Sequence, residues 1–322
     1  MTTASSVLVT TYPEAFLHKG GGEYELLEIV FNLRKTGLIA DVYGPFSRDI
    51  ENYDTILHFS LESGGLPLLE RARGLEKRIV LWPNFWLAES PSGELANLIR
   101  RFFALADAVV FKSQIEQDML QALIPKACRI VRVPTGVDPC FALPAPERLF
   151  RDSYSLTEYL LWVGIIEPGK NQLQAIRALR SLDLPLVFIG NYRDRGYYDL
   201  CRRTAPEHFI FLDPMPYKSD MLRAALRECR LYIELASEPG GKSVLEAVIS
   251  GAGVVLPESA WGREHFGDFP VYVDPENDSS ILEGIERGLR LKRDPAFASA
   301  VAARHAFPGV LRSLCGYLNE ER

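Results

Sequence analysis

Long apolar runs are absent from this 322-residue chain. No stretch approaches the roughly 20 apolar residues that a bilayer-spanning helix requires, so no such helix is expected. Cysteine is scarce: Cys128, Cys140, Cys201, Cys229 and Cys315 are scattered, odd in number and never spaced C-x-x-C. That pattern suggests neither a zinc site nor a disulfide framework and fits a reducing cytoplasm. Basic charge is not in excess either. The formal net charge is −6, acidic residues slightly outnumber basic ones in both halves, and the basic stripe of a nucleic-acid binder is missing. The opening MTTASSVLVTTYPEA has no basic n-region and no long apolar core, so no signal peptide is expected. A G-x-G-x-x-G turn is lacking, which discounts a two-domain dehydrogenase. There is no Asp-x-Asp metal site and no repeat at solenoid periods.

What is present is a soluble-protein composition, 47% hydrophobic and 24% charged, in a chain long enough for two domains. Short β-rich runs alternate with helical periods, the pattern of βαβ units and parallel sheets. The first half predicts strands at Ser6–Thr10, Ile39–Tyr43, Thr55–Phe59, Arg78–Trp82, Ala108–Phe111 and Arg129–Val133. The proline-rich, aperiodic stretch Pro134–Pro146 reads as a linker. Alternation then restarts with strands predicted at Tyr159–Val163, Leu186–Ile189, Phe209–Leu212, Leu231–Leu235, Gly253–Leu256 and Val271–Val273. An amphipathic piece, Val310–Asn319, closes the chain. The expected fold is α/β, two Rossmann-like domains of similar size facing a cleft.

Ligands of open α/β sheets collect at the carboxyl ends of strands, and three stretches there carry chemistry. In SEPGGKSVLEAVISG, Gly240 and Gly241 let backbone N–H groups approach a ligand closely. The helix expected from Lys242–Ser243 onward turns free donors and a positive dipole end toward an anion, and Lys242 adds a full charge. Glu238 and Glu246 accept only, so they suit hydroxyls rather than phosphate. Phosphate donors beside hydroxyl-reading carboxylates describe a sugar nucleotide. A plainer reading stays open, in which Ser243 and Glu246 are a capping box and Glu238 is a solvated turn residue. The second stretch, LLWVGIIEPGKNQLQAI, ends a strand at Gly164 and opens a helix at Lys170-Asn171, with Lys170 placed for a pyrophosphate oxygen or simply exposed after a turn. The third, FLHKGGGEYELLEIVFNLRKTG, is a glycine turn before the first long helix.

Taken in this order, the three stretches resemble the glycosyltransferases of the GT-B fold, family 4 and its relatives, over most of the chain. Gly20-Gly21-Gly22-Glu23 matches an early GGxE turn, and Val163-Gly164 with Lys170-Asn171 matches a VGRxxxxKN-like turn. Glu238 through Gly251 matches the Glu-seven-Glu motif. DAVVFKSQIEQDML, VRVPTGVD and VDPENDSSILEGIERGL resemble further family segments. The resemblance implies an acceptor-side domain over 1–143, a nucleotide-sugar-binding domain over 144–306, and a helix over 307–322 that packs back on the first. It implies a retaining, metal-independent transferase with no cofactor, whose partners are a nucleoside-diphosphate sugar and an acceptor. Glu246 would hold ribose hydroxyls and Glu238 the donor sugar. Lys170 and the backbone of Lys242, Ser243 and Val244 would take charge developing on the leaving diphosphate, Gly21 would let the first domain's backbone reach it, and Gly22 and Gly164 would join the donor-binding set. Base contacts are expected near Asn191 and Met215. A nucleotide-sugar-binding protein with little turnover is the alternative.

Departures from the family pattern are specific. Ile165 stands where the family has arginine, with Lys242 as a candidate replacement for that charge. Leu235 replaces the serine of the PSxxE lead-in, and Asn84 in LWPNFW replaces a frequent histidine. His58, Asn84 and His18 are the acceptor-side candidates, with packing at a strand end the alternative for His58. LWPNFWL and LIRRFFAL could touch a lipid surface, though helical spacing in the second favours core packing and no basic cluster draws the chain to anionic lipid. The expected location is the cytoplasm, with association at the inner membrane face left open. Base, sugar, acceptor and oligomeric state are not legible.

Overall fold

The computed structural model describes residues 5–17, 21–84, 90–236 and 241–320. The chain divides into two compact units, Met1–Gly136 with Arg304–Arg322, and Val137–Ala303. Unit 1 runs β1 (Ser6–Thr10), α1 (Gly21–Lys35), β2 (Ile39–Val42), β3 (Thr55–Phe59), α2 (Leu66–Gly74), β4 (Arg78–Trp82), α3 (Gly93–Leu105), β5 (Ala108–Phe111), α4 (Gln114–Leu120) and β6 (Arg129–Arg132). Unit 2 follows with α5 (Leu149–Ser153), β7 (Leu160–Val163), α6 (Gln172–Leu179), β8 (Leu186–Ile189), α7 (Arg195–Thr204), β9 (Ile210–Leu212), α8 (Asp220–Glu228) and β10 (Leu231–Ile233). It continues through α9 (Lys242–Ile249), β11 (Val254–Pro257), α10 (Ala260–Phe266), β12 (Val271–Val273), α11 (Asp278–Arg290) and into α12 (Pro295–His305). The last helix, α13 (Arg312–Leu318), belongs to unit 1.

Each unit is built on a six-stranded sheet, ordered β2-β1-β3-β4-β5-β6 in unit 1 and β12-β11-β10-β7-β8-β9 in unit 2, with parallel pairing throughout. The strands read as unbroken apolar runs because both faces are covered. Val7, Val9, Leu57 and Val80 pack on the side of α1, while Leu8, Ile56, Ile79 and Leu81 pack on the side of α2 and α3. Strand order reverses between β1 and β3 in one sheet and between β10 and β7 in the other. Those reversals are the crevice-forming points of open α/β sheets.

The C-terminal segment completes the core of unit 1, as expected. Phe307, Leu311, Leu314 and Leu318 join Leu26, Ile29 and Leu33 of α1. Gly136 makes room for Phe307, since a Cβ there would stand 2.1 Å from the ring. Arg78 Nη1 donates to the Tyr317 carbonyl at 3.1 Å, tying the last helix to β4. The pattern LIRRFFAL resolves into core packing: Ile99, Phe102 and Phe103 of α3 are fully buried.

Three helices escape the periodicity reading. α12, PAFASAVAARH, has small residues on several sides and no single apolar stripe, but Asp294 Oδ1 accepts from the Phe297 N–H and Pro295 occupies its first position. α10 contains Gly262, a poor helix former, whose N–H is taken by Ser259 Oγ at 3.1 Å. α5 spans only five residues, too few to show a period. Among the described residues no helix is long and apolar enough to cross a membrane.

Candidate functional site

In unit 2 the strand reversal brings the loops after β7 and β10 together. β10 is a buried apolar strand, and the residue that follows it, Glu234, is only 4% exposed. Its carboxylate accepts from the Tyr232 hydroxyl, the Gly241 N–H and the Ser243 hydroxyl, each at 3.3 Å. Burial pushes this carboxyl above the ordinary carboxylate range, and the charge of Lys170 together with the three donors pulls it partway back. Asn171 ties the two loops directly, its Nδ2 donating to the Leu235 carbonyl at 2.9 Å. Lys170 closes a short 3-10 turn, Pro168–Lys170, and Asn171 takes the left-handed conformation at φ 61° that asparagine tolerates.

The loop after β7 is also braced by the loop after β8. Ile166 N–H donates to the Asn191 carbonyl at 2.7 Å and Gly164 N–H to Ile189 at 2.9 Å. A Cβ on Gly190 would stand 2.0 Å from the Gly164 carbonyl oxygen, so the two backbones touch at their glycines. A Cβ on Gly164 would meet nothing within 4 Å, which leaves open space before it. Met215 is half-buried in the loop after β9, and Asn191 is exposed after β8.

Helix α9 begins at Lys242 with Gly241 as its N-cap. Ser243 is therefore inside the helix, its hydroxyl goes to Glu234, and the N-cap N–H goes to Glu234 as well. The capping-box arrangement of Ser243 and Glu246 is not formed. The Val244 N–H is given to the Gly241 carbonyl at 3.2 Å. Glu246 sits on the second turn, 5% exposed, and Lys242 Nζ lies 4.0 Å from its Oε1 and 4.5 Å from the centroid of Tyr217. An i, i+4 pair runs along the helix flank, so this ammonium is directed down the helix rather than at its amino end. Glu238 and Gly240 lie outside the described residues.

In unit 1, His58 is the last residue but one of β3 and Thr10 ends β1, so they meet at that sheet's reversal. Thr10 Oγ1 and His58 Nδ1 are 2.8 Å apart. The imidazole is 0% exposed and stacks on Phe102 at 5.9 Å. Its Nε2 abuts Gly65, where a Cβ would come within 2.3 Å. The ring is thus enclosed by packing, and burial lowers its pKa from 6.5 to about 4. A depressed histidine pKa means the neutral form holds the fold. Its contribution is complete above pH 6.5 and is lost as pH falls through 4, amounting to about 3 kcal/mol. Urea unfolding at pH 7 and pH 4 should show that loss in the wild type and a clearly smaller one in His58→Asn; equal losses would refute the assignment.

Asn84, in the left-handed region at φ 44°, follows β4. Its Oδ1 accepts from Lys112 Nζ at 2.5 Å, and a Cβ on Gly22 would stand 3.1 Å from its Nδ2. Lys112 also pairs with Glu25 of α1 at 3.1 Å, both side chains under 10% exposed. Asn84 and Gly22 are thereby brought together, while Gly21 faces open space. His18 lies outside the described residues.

Glu234, Tyr217, Lys112 and Glu25 were not singled out by sequence reasoning. A signal existed for two of them: Glu234 interrupts the run Leu231–Leu235, and Lys112 directly follows the apolar strand β5. A charge at the carboxyl end of a buried parallel strand needs a partner.

No family model and no curated protein matches the chain. Solved structures do. A sucrose-phosphate synthase from Thermosynechococcus elongatus superposes with a TM-score of 0.78 at 13% identity, over 97% of this chain and 98% of that one. HepE of Anabaena, in complex with UDP and glucose, gives 0.76 at 15% identity, over 98% and 99%. A UDP-forming α,α-trehalose-phosphate synthase from Burkholderia xenovorans gives 0.70 at 13% identity, over 99% of both chains. At such identities the likeness speaks for architecture: this chain has the GT-B fold, with two Rossmann-like units.

Proposed function

We propose that this protein is a glycosyltransferase that moves a sugar from a nucleoside-diphosphate sugar to an acceptor, with retention of anomeric configuration and without a cofactor or divalent metal. The observation that carries the reading is the convergence at the β7/β10 reversal. Lys170, the amino end of α9 and the carboxylate of Glu234 come from separate elements onto one strand-end crevice, with Glu246 one turn along α9. Cation and helix end suit a diphosphate, and Glu246 suits ribose hydroxyls. Full-length likeness to structures holding UDP and UDP-glucose supports the same reading. Glu238 is proposed to meet the donor sugar, Asn191 and Met215 the base, and unit 1 the acceptor.

In this scheme Lys170 and the α9 amino end take the charge that grows on the leaving diphosphate, stabilisation that is greater in the transition state than in the bound substrate. Glu234 positions them: its burial orders Gly241 and Ser243, and its charge faces Lys170.

A nucleotide-sugar-binding protein with little turnover is favoured by one observation. Lys242, the candidate stand-in for the arginine missing at Ile165, rests on Tyr217 and Glu246 instead. A thermal-shift panel of UDP, GDP, ADP, dTDP and their sugars tests the common ground. At one hundred times its Kd a ligand adds about 2.7 kcal/mol of stability, so at least one should raise the melting temperature by several degrees; no shift with any of them refutes both readings. Release of sugar from the stabilising donor by purified protein then separates enzyme from binder.

A further inference from the structure

A cavity of about 730 Å³ in unit 2 opens beside Glu228, which precedes β10, and Gly251, which precedes β11. It therefore lies at the amino ends of strands whose carboxyl ends form the candidate donor site. The eight-residue helix α9, ~12 Å long at the usual rise, runs from one to the other, ending on Ile249 in the cavity wall.

Arg148, Arg151, Arg227 and Arg293 line this cavity, against the carboxylates of Glu147 and Glu228. Arg148 is paired with Asp152 at 2.8 Å, while the remaining guanidinium groups leave charge to offer. Arg293 donates to the carbonyls of Gly251 at 2.9 Å and Cys229 at 2.5 Å, neutral acceptors that fix its guanidinium and keep its charge. Arg151 Nη2 donates to the Glu228 carbonyl at 2.8 Å, and the Arg151 N–H to Glu228 Oε2 at 2.9 Å. Among the described residues, Arg151 Nε is a buried donor with no hydrogen-bond partner and Glu228 Oε1 a buried acceptor with none. Buried groups of this kind are normally satisfied.

The arginines that line the cavity beside Glu228 suit a ligand that brings an anion and a hydroxyl close together. A phosphate alone would be repelled by Glu228, and a neutral sugar would leave the guanidinium groups unmatched. We propose that this cavity binds a phosphorylated sugar or polyol, its phosphate on the arginines and a neighbouring hydroxyl on Glu228. Guanidinium groups match phosphate oxygens in paired hydrogen bonds, and the volume falls within the range of small-molecule sites. The proposal does not depend on glycosyl transfer.

Calorimetric titration of the full chain tests it, with glucose 6-phosphate as probe and inorganic phosphate and glucose as controls. Saturable binding of glucose 6-phosphate, tighter than of either control, is the expected result. Arg151→Gln should weaken it at least about tenfold, the loss of one charge-assisted hydrogen bond. The exposed Arg227→Gln should weaken it too and decides the matter should Arg151→Gln not fold. Lys170→Ala and saturating UDP should leave it unchanged. The proposal is overturned by no saturable binding, by glucose 6-phosphate binding no tighter than phosphate, by binding indifferent to both arginine changes, or by binding lost with Lys170→Ala.

Discussion

Gly190→Ala is expected to lower the stability of unit 2 by about 3 kcal/mol and to remove its response to nucleotide. The added methyl would stand 2.0 Å from the carbonyl oxygen and 2.7 Å from the carbonyl carbon of Gly164. Both are backbone atoms of the adjacent strand end, so no side-chain rotation relieves the contact and the carboxyl ends of β7 and β8 must part. Overpacking of this kind costs 1–3 kcal/mol or more, and about 3 kcal/mol in a unit of this size corresponds to a melting-temperature drop of roughly 6–12 °C. The same displacement carries the Lys170 turn away from Glu234, because Ile166 is bonded to Asn191 and Asn171 to Leu235. Differential scanning calorimetry with and without the stabilising nucleoside diphosphate checks both parts. A Gly190→Ala protein that melts within a degree of wild type and still responds to nucleotide would show that the two strand ends are not coupled as described.

Lys170→Ala is expected to reduce turnover of the donor about 100- to 1000-fold, the usual effect of deleting one preorganised group at a developing negative charge. Lys242→Ala serves as its comparison. If Lys242 takes over the charge missing at Ile165, the two variants should lose activity comparably. The structure places its ammonium on Tyr217 and Glu246, so the expected outcome is a smaller loss in kcat with a change in nucleotide affinity, since Glu246 would lose its neighbouring cation. Steady-state kinetics of both variants on the same donor distinguish the cases. Near-normal kcat in Lys170→Ala would remove the diphosphate role from this lysine.

The proposed polar groups were unequally legible. Gly164, Lys170 and the Gly241–Glu246 stretch announce themselves because a turn glycine, a lysine or a carboxylate at a strand end is a local event, visible in a few adjacent letters. Glu234 is no less local, yet its neighbours Leu231–Leu235 read as one apolar run, and only its three hydrogen bonds show that a charge is tolerated there. The capping box failed for a related reason. Ser243 and Glu246 have the right spacing, but α9 starts at Lys242 with Gly241 as its N-cap, which puts Ser243 inside the helix with its hydroxyl on Glu234. His58 shows the limit from the other side: nothing in YDTILHFS says whether the ring faces a ligand or Gly65, since that depends on where the turn before α2 crosses β3.

By itself, then, the order of residues determined the alternation of strands and helices, two parallel sheets, an amphipathic C-terminal helix, and the loops where charge and glycine gather. These follow from periodicity and composition, which act over a few residues at a time. Only the tertiary structure decided which side chains meet: Lys112 with Glu25 and Asn84, Lys242 with Tyr217, Arg151 beside an unmatched Glu228 oxygen. Such partners lie on different elements, and a buried charge keeps its place only where packing of the whole unit brings an opposite charge or a donor within reach.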